Sequence, residues 1–281
     1  MDDFQKHDKL VVSQDSNLDN ASIQVENLEN EVDAKDVDMS SFKDNDVLDP
    51  KFWFDGGKVL DSKIRLKLLD IADAFWDSLN IDFVSPKDII LTGSICNYNW
   101  SKYSDVDLHI VVDFLDVDDN TDLVYDYFMA KKSCWNEEHK RLNIYGHKVE
   151  LYVQDVSDDL VSSGVYSLEK NKWIKEPSKN KTFCEKADKV KIRELASSIM
   201  TDIDNLVDEY ESTKDEHEIE DIGRRARRLF YRIRRARKDS ISNYGESGVG
   251  NIIFKVLRRT KYLEKLYDLR IAAFDKVNSL R

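Results

Sequence analysis

The sequence has few cysteines and no long apolar run, and each of these absences excludes a class of protein. Its three cysteines (Cys96, Cys134 and Cys184) are odd in number, widely spaced and match no metal-binding spacing, which favours a reducing compartment and buried, unpaired thiols. No apolar segment approaches the roughly 20 residues that cross a bilayer. The N-terminus is acidic, whereas that of a secretion signal is basic. We therefore expect a soluble, cytoplasmic protein without a membrane partner.

Negative charge is concentrated at the start of the chain. The net charge is -12 over 281 residues, and residues 1–50 hold fourteen Asp and Glu against four Lys. Residues 1–48 also contain few large apolar side chains, so ordering them gains little burial. We predict that residues 1–48 form an acidic, disordered tail. The alternative is a regulatory or partner-binding arm that mimics the charge of a nucleic acid.

A strand pattern places two carboxylates on one face of a predicted sheet. From residue 105 to 110 polar and apolar residues alternate, so Asp105, Asp107 and His109 share one face and the apolar residues between them share the other. The two aspartates then lie roughly 7 Å apart. Because no imidazole or thiolate cluster accompanies them, their oxygens favour a hard cation, Mg²⁺ or Mn²⁺. His109, His139 and His147 fit no compact zinc-ligand spacing.

Two neighbouring elements add to this pattern. Residues 89–92 form a short apolar strand that stops at Gly93-Ser94, where backbone N–H groups could face a phosphate. Residues 141–145 and 148–154 predict a hairpin, and its second strand places Glu150 between apolar neighbours. A third carboxylate thereby reaches the sheet.

Gly93-Ser94, Asp105-x-Asp107 and Glu150, in this order on alternating strands, resemble the signature of the DNA-polymerase-β-like nucleotidyltransferase superfamily. The stretch resembles bacteriophage-encoded members most, which would place the protein in the host cytoplasm. The resemblance covers roughly residues 85–155. It implies that the Gly-Ser turn holds a nucleoside triphosphate and that Asp105, Asp107 and Glu150 hold two divalent ions. The third position is often Asp in the family, so Glu150 departs from it in length, and its role as ligand or base stays open.

Three basic residues are further candidates for nucleotide contacts. Lys102 follows the Gly-Ser turn and could add a charge-assisted contact, although a solvated surface lysine fits equally well. Lys255 and Arg258 lie, with Asn251, on the polar side of a predicted helix opposite an apolar side. That polar side could face a cleft or solvent.

The C-terminal part carries a strongly basic helix. Residues 222–238 contain nine Arg and Lys and no acid, together with an apolar stripe that must pack on other elements. The arginines of the helix from Arg224 to Lys238 could bind RNA phosphates. They could equally pair with nearby acids such as Glu218, Glu220 and Asp221.

The predicted fold class is α/β (α+β), with a small mixed sheet of the nucleotidyltransferase type followed by a helical domain. The predicted boundaries are 49–180 for the catalytic domain and 181–281 for the helical domain. The expected activity is transfer of a nucleoside monophosphate from an NTP to a hydroxyl, with pyrophosphate release. The alternative is a non-catalytic nucleotide- or RNA-binding regulatory protein that retains the fold. The acceptor could be RNA, a small molecule, a protein or a second nucleotide, and the sequence defines neither the NTP nor the oligomeric state.

Overall fold

The computed structural model describes residues 39–42, 44–179 and 186–280, which form two compact units. The first unit comprises residues 44–179, and the second comprises residues 39–42 and 186–280. The first combines a sheet with helices and the second is helical. A mixed α+β fold with a helical C-terminal part is therefore confirmed, while the nucleotidyltransferase type of the sheet stays a prediction.

The first unit contains eight strands within the described residues. They are β1 (Trp53–Phe54), β2 (Val59–Leu60), β3 (Asp88–Thr92), β4 (Val106–Val112), β5 (Asn143–Ile144), β6 (His147–Asp155), β7 (Val165–Ser167) and β8 (Lys172–Lys175). Strands β1 and β2 form a separate pair, and the other six form one sheet in the order β5-β6-β4-β3-β7-β8. Only the β4–β6 pair is parallel, so the sheet is mixed.

Helix α1 (Ser62–Ser78) covers the apolar face of this sheet. Apolar residues at helical spacing predict this helix from the sequence, with Asp61 or Ser62 as its start signal. In the structure the Asp61 carboxylate accepts hydrogen bonds from the backbone N–H groups of Lys63 and Ile64. Its buried residues recur at helical spacing and join one core with the apolar residues of β4: Ile64, Leu68, Ala72, Phe75, Val106, Leu108, Ile110 and Val112. Asp107 and His109 lie on the opposite face of β4.

Helix α2 runs from Thr121 to Glu138 and lies along the outer edge of β6. The Asn136 side chain donates to the carbonyl oxygen of Leu151 (3.3 Å) and accepts from its backbone N–H (3.2 Å). Asn136 therefore pairs the backbone polar groups of Leu151 at the edge of β6. Strand β5 leaves this part of the edge unpaired, because it pairs only with residues 147–148. The apolar residues Leu123, Tyr127, Phe128 and Met129 predict only a short helix over residues 123–132 from the sequence. The structure extends it, because the edge contact of Asn136 is long-range and has no local signal.

The helical unit contains α3 (Lys186–Ser212), α4 (Glu216–Tyr244), α5 (Val249–Arg259) and α6 (Tyr262–Asn278). Their apolar stripes meet in one core that includes Ile203, Ile222, Leu229 and Leu266. Helix α4 thus extends beyond the basic segment of residues 222–238 at both ends, and Asp215 is its N-cap. No helix of the described ranges is both long and apolar enough to cross a membrane.

The predicted tail is too long at its C-terminal end. Met39 and Phe42 are buried in the core of the helical unit, and Leu48 is buried in that of the sheet unit. Composition alone missed them, because each is a single apolar residue in an acidic background whose partners lie far along the chain. The rest of the predicted tail, residues 1–38, lies outside the described residues.

Candidate active site

Strand register brings the second and third predicted carboxylates side by side. Asp107 of β4 pairs with Glu150 of β6 on one side and with Thr92 of β3 on the other. Paired residues of neighbouring strands lie on the same face, with the strands about 4.8 Å apart. Asp105 immediately precedes β4, two residues before Asp107, and is half-buried like Asp107 and Glu150. The strand register therefore places Asp107 and Glu150 side by side, and Asp105 lies just before the start of the same strand.

Gly93 is required by its contact with Asp107. Its φ of +73° and ψ of -162° belong to a region that side-chain-bearing residues rarely adopt. A Cβ atom at this position would lie 1.7 Å from Oδ2 of Asp107. The aspartate carboxylate therefore packs directly against the glycine backbone. The turn and the second aspartate of the motif form one structural unit, although twelve residues of sequence lie between Ser94 and Asp107.

The loop between the turn and Asp105 is closed by hydrogen bonds. The Ser94 hydroxyl donates to Oγ of Ser104 (2.7 Å), and the same Ser104 oxygen accepts from the backbone N–H of Ser101 (2.9 Å). The carbonyl oxygen of Ser104 accepts from Nδ1 of the buried His147 (2.8 Å). These contacts fix the residue that precedes Asp105. His147 thus supports the loop, which sequence analysis did not show.

Asn97 is held against the turn, whereas Lys102 of the same loop is exposed. The carbonyl oxygen of Gly93 accepts from the side-chain amide of Asn97 (2.6 Å), which holds the turn from the other side. Lys102 is exposed, with its ammonium 5.0 Å from the ring centroid of Tyr103. Its predicted nucleotide contact stays a prediction.

Both carboxylate oxygens of Glu150 have hydrogen-bond donors. Oε1 accepts from Nζ of Lys148 (3.1 Å), and Oε2 accepts from the hydroxyl of Tyr152 (2.9 Å). Within the described residues, no group of three or more His, Cys, Asp or Glu side chains is arranged to hold a metal ion. The oxygen donors of Asp105, Asp107 and Glu150 fit a hard divalent cation in their chemistry. Glu150 accepts one hydrogen bond on each oxygen, and each oxygen keeps a second lone pair for a cation.

Lys132 of α2 is a site residue that sequence analysis missed. Its ammonium lies 3.6 Å from the ring centroid of Tyr152, over the ring. Burial lowers the pKa of Lys132, and the nearby carboxylates of Glu150 and Asp107 partly oppose that shift. Lys132 lies one helical turn before Asn136, the residue that fixes α2 to β6. No sequence signal revealed that this helix runs along the strand edge.

Tyr152 is held in its protonated form. Burial raises its pKa, and the negative charges of Asp107 and Glu150 raise it further. The hydroxyl therefore acts as a donor to Glu150 at neutral pH. The Tyr152 ring also stacks on the imidazole of His109, with centroids 4.7 Å apart. The Lys132 ammonium, the Tyr152 ring and the His109 ring consequently form a continuous stack beside the carboxylates.

His109 is neutral near pH 7. Burial lowers its pKa to about 4, against an opposing hydrogen bond with Gln154. Nδ1 donates to Oε1 of Gln154 (2.8 Å), and Nε2 lies 3.4 Å from the Thr92 hydroxyl. Both ring nitrogens thus have neighbours within the sheet. These neighbours give His109 a structural role within the sheet.

Lys255 and Arg258 belong to α5 of the helical unit. Nζ of Lys255 lies 3.3 Å from Oε2 of Glu246, and Arg258 is exposed. Asn251, which sequence analysis placed on the same polar face, is buried and donates to the carbonyl oxygen of Glu246 (2.7 Å). The polar side of this helix, which could have faced a cleft or solvent, is therefore partly buried within the helical unit. Nucleotide contacts by Lys255 and Arg258 stay predictions.

Comparison with protein-family models, curated proteins and solved structures found no match to this chain. The resemblance to polymerase-β-like nucleotidyltransferases therefore rests on the motif residues themselves.

Proposed function

We propose that this chain is a metal-dependent nucleotidyltransferase. It would move a nucleoside monophosphate from an NTP to a hydroxyl acceptor and release pyrophosphate. The observation that carries the proposal is the packing of the Asp107 carboxylate against Gly93, together with the pairing of Asp107 with Glu150. These contacts join three separate parts of the motif at one end of a sheet. Fold resemblance alone would carry less weight, because unrelated functions share folds.

The carboxylates would hold the cofactor and the turn would hold the triphosphate. Asp105, Asp107 and Glu150 are the proposed ligands of two Mg²⁺ or Mn²⁺ ions, which would neutralise phosphate charge and lower the pKa of the acceptor hydroxyl. The backbone N–H groups of the Gly93-Ser94 turn would face the phosphate oxygens. The Ser94 hydroxyl is engaged by Ser104, so Ser94 would contact phosphate through its backbone.

In the transfer itself, the acceptor oxygen attacks the α-phosphorus and the bond to the β,γ-pyrophosphate breaks. The acceptor proton must leave, and Glu150 is the proposed residue to receive it. Lys148 and Tyr152 each donate one hydrogen bond to it, to different oxygens. Each oxygen keeps a second lone pair, so Glu150 can accept the proton with these bonds in place.

The two lysines near the carboxylates compensate their charge. Lys148 contacts Glu150 directly, and Lys132 interacts electrostatically with both Glu150 and Asp107. Without such cations the carboxylates would repel one another across the sheet. We propose that Lys132 and Lys148 stabilise the metal-free site and turn toward the substrate phosphates when cations enter.

Pyrophosphate release tests the proposal. Each of the four NTPs would be incubated with Mg²⁺ or Mn²⁺, with and without total RNA, beside an Asp105→Asn/Asp107→Asn variant. We expect release that requires metal and both aspartates, and its dependence on RNA would identify or exclude an RNA acceptor. Release that is unchanged in the variant would contradict the proposal. The exposed pair Asp119→Asn/Asp122→Asn is the matched control.

A non-catalytic nucleotide-binding protein is the second candidate. The observation in its favour is that Glu150 is bonded through both oxygens and that the described carboxylates form no ready metal group. Such a protein would bind NTP without releasing pyrophosphate under any condition, and the Asp105→Asn/Asp107→Asn variant would leave NTP binding intact. Metal-dependent release by the wild type would exclude it.

A further inference from the structure

The arginines of α4 fall into two classes that the sequence does not distinguish. One class makes ring contacts within the helical unit. The Arg237 guanidinium lies 4.2 Å from the ring centroid of Phe254, and its Nε donates to Oδ1 of Asn251 (3.2 Å). Arg237 thereby joins α4 to α5. The exposed Arg234 lies over the Phe230 ring of its own helix at 5.7 Å.

The other class lines an open groove on a different side of the helix. Arg225, Arg228, Leu229 and Arg232 enclose a volume of about 340 Å³. Arg228 and Arg232 are exposed, and neither has a hydrogen bond, ion pair or ring contact within the described residues. Arg225 is bound by both carboxylate oxygens of Glu209, so it contributes a guanidinium that is already oriented. The groove therefore holds more positive than negative charge.

The spacing of these arginines follows the helix axis. They occur at i, i+3 and i+7, so they lie on one side of α4, separated by about 4.5 Å and about 6 Å along the axis. Guanidinium groups are planar forks whose N–H groups match phosphate oxygens. The arginines form a row along an open groove and do not converge on one point, which suits a chain of phosphates better than a single phosphate.

We propose that the groove of Arg225, Arg228 and Arg232 binds the phosphate backbone of a single-stranded nucleic acid. Its lining consists of arginines and one leucine, with no amide or carboxylate to read base edges. The contact should therefore be independent of base sequence and strongly dependent on salt. This inference rests on the helical unit alone and does not depend on the proposed chemistry of the sheet unit.

The test compares two double variants of the full chain with the same charge change. Arg228→Gln/Arg232→Gln removes the unpaired groove arginines. Arg224→Gln/Arg227→Gln removes two exposed arginines of the same helix that have other partners. Arg224 pairs with Glu220 and Asp221, and Arg227 lies over the Tyr231 ring. Binding of a fluorescent 20-nucleotide RNA of mixed sequence would be measured by anisotropy between 50 and 300 mM salt, with a DNA strand of the same sequence in parallel.

We expect the groove variant to bind RNA about tenfold more weakly at low salt, with a log–log salt slope reduced by about 1.4 for two lost phosphate contacts. The control should keep wild-type affinity to within about threefold. Binding to DNA should fall in parallel, because the backbone is the shared ligand. Thermal unfolding of both variants, expected to match the wild type, excludes a folding defect.

Three results would overturn the proposal. The first is absence of salt-dependent RNA binding by the wild type, and the second is an equal loss of binding in both double variants. The third is competition by a mononucleotide at the same concentration of phosphate groups as RNA, because this would identify a single-phosphate site in place of a strand-binding groove.

Discussion

The carboxylate site of the sheet unit and the arginine groove of the helical unit differ in how their charge is compensated. In the sheet unit, Asp107 and Glu150 lie in one network with Lys132, Lys148 and the Tyr152 hydroxyl. In the helical unit, Arg228 and Arg232 have no such partners among the described residues. An entering cation competes with two lysines at the first site, whereas the groove can accept an anion directly. A charged residue in the sequence therefore indicates a binding function only once its ion-pair and hydrogen-bond partners in the structure are known.

The largest effect expected in this comparison comes from the Gly93 contact. Gly93→Ala should lower the free energy of unfolding by about 3 kcal/mol, because the new Cβ both strains the backbone and displaces the Asp107 carboxylate. Nucleotide turnover should be lost with it. Gly146→Ala is the matched control, since Gly146 also has a positive φ (+90°) but nothing within 4 Å of a Cβ. Urea denaturation measures both variants, and equal destabilisation would show that the Asp107 contact contributes nothing.

A second prediction sharpens the account of compensated charge. Lys132→Met should change the free energy of unfolding of the metal-free protein by less than about 1 kcal/mol, because the burial that lowers the pKa of Lys132 offsets its attraction to Glu150 and Asp107. Added Mg²⁺ should then raise the melting temperature of the variant more than that of the wild type. Thermal unfolding in chelator and in Mg²⁺ tests this. Lys131→Met, at an exposed neighbouring lysine, should behave as the wild type. An unchanged response to Mg²⁺ in Lys132→Met would contradict the exchange of lysine for metal.

The smallest expected effect distinguishes the two arginine classes. Arg237→Gln should cost about 1 kcal/mol of stability, because it removes the guanidinium from the Phe254 ring and from Asn251. Arg228→Gln should change stability by less than about 0.5 kcal/mol. Chemical denaturation of the two single variants is the measurement. If Arg228→Gln were as destabilising as Arg237→Gln, Arg228 would have a structural role and the two classes would merge.

Local patterns predicted the elements that position the site. The Asp61 cap and apolar spacing located α1, the alternation around Asp107 located β4, and a hairpin with a glycine turn located β6. Each of these signals lies within a few residues of the element it specifies. The turn at Gly93 was also located from sequence, although its contact with Asp107 was not.

The contacts that the sequence did not predict are long-range. Lys132 reaches Tyr152 because Asn136 holds α2 against the edge of β6, and nothing near residue 132 specifies that edge. Burial of Met39 and Phe42 depends on the core of the helical unit. The two arginine classes of α4 depend on which neighbours surround the helix. Residue spacing gives the faces of a helix or strand, but the surroundings of each face come from the tertiary structure.

Calorimetric titration with Mn²⁺, in the presence of a non-hydrolysable NTP analogue, shows whether Asp105 and Asp107, with Glu150, hold divalent cations as we propose. We predict saturable binding of two Mn²⁺ per chain by the wild type and by the Asp119→Asn/Asp122→Asn control, and loss of that binding in Asp105→Asn/Asp107→Asn. Absence of Mn²⁺ binding by the wild type, or equal binding by all three proteins, would contradict it.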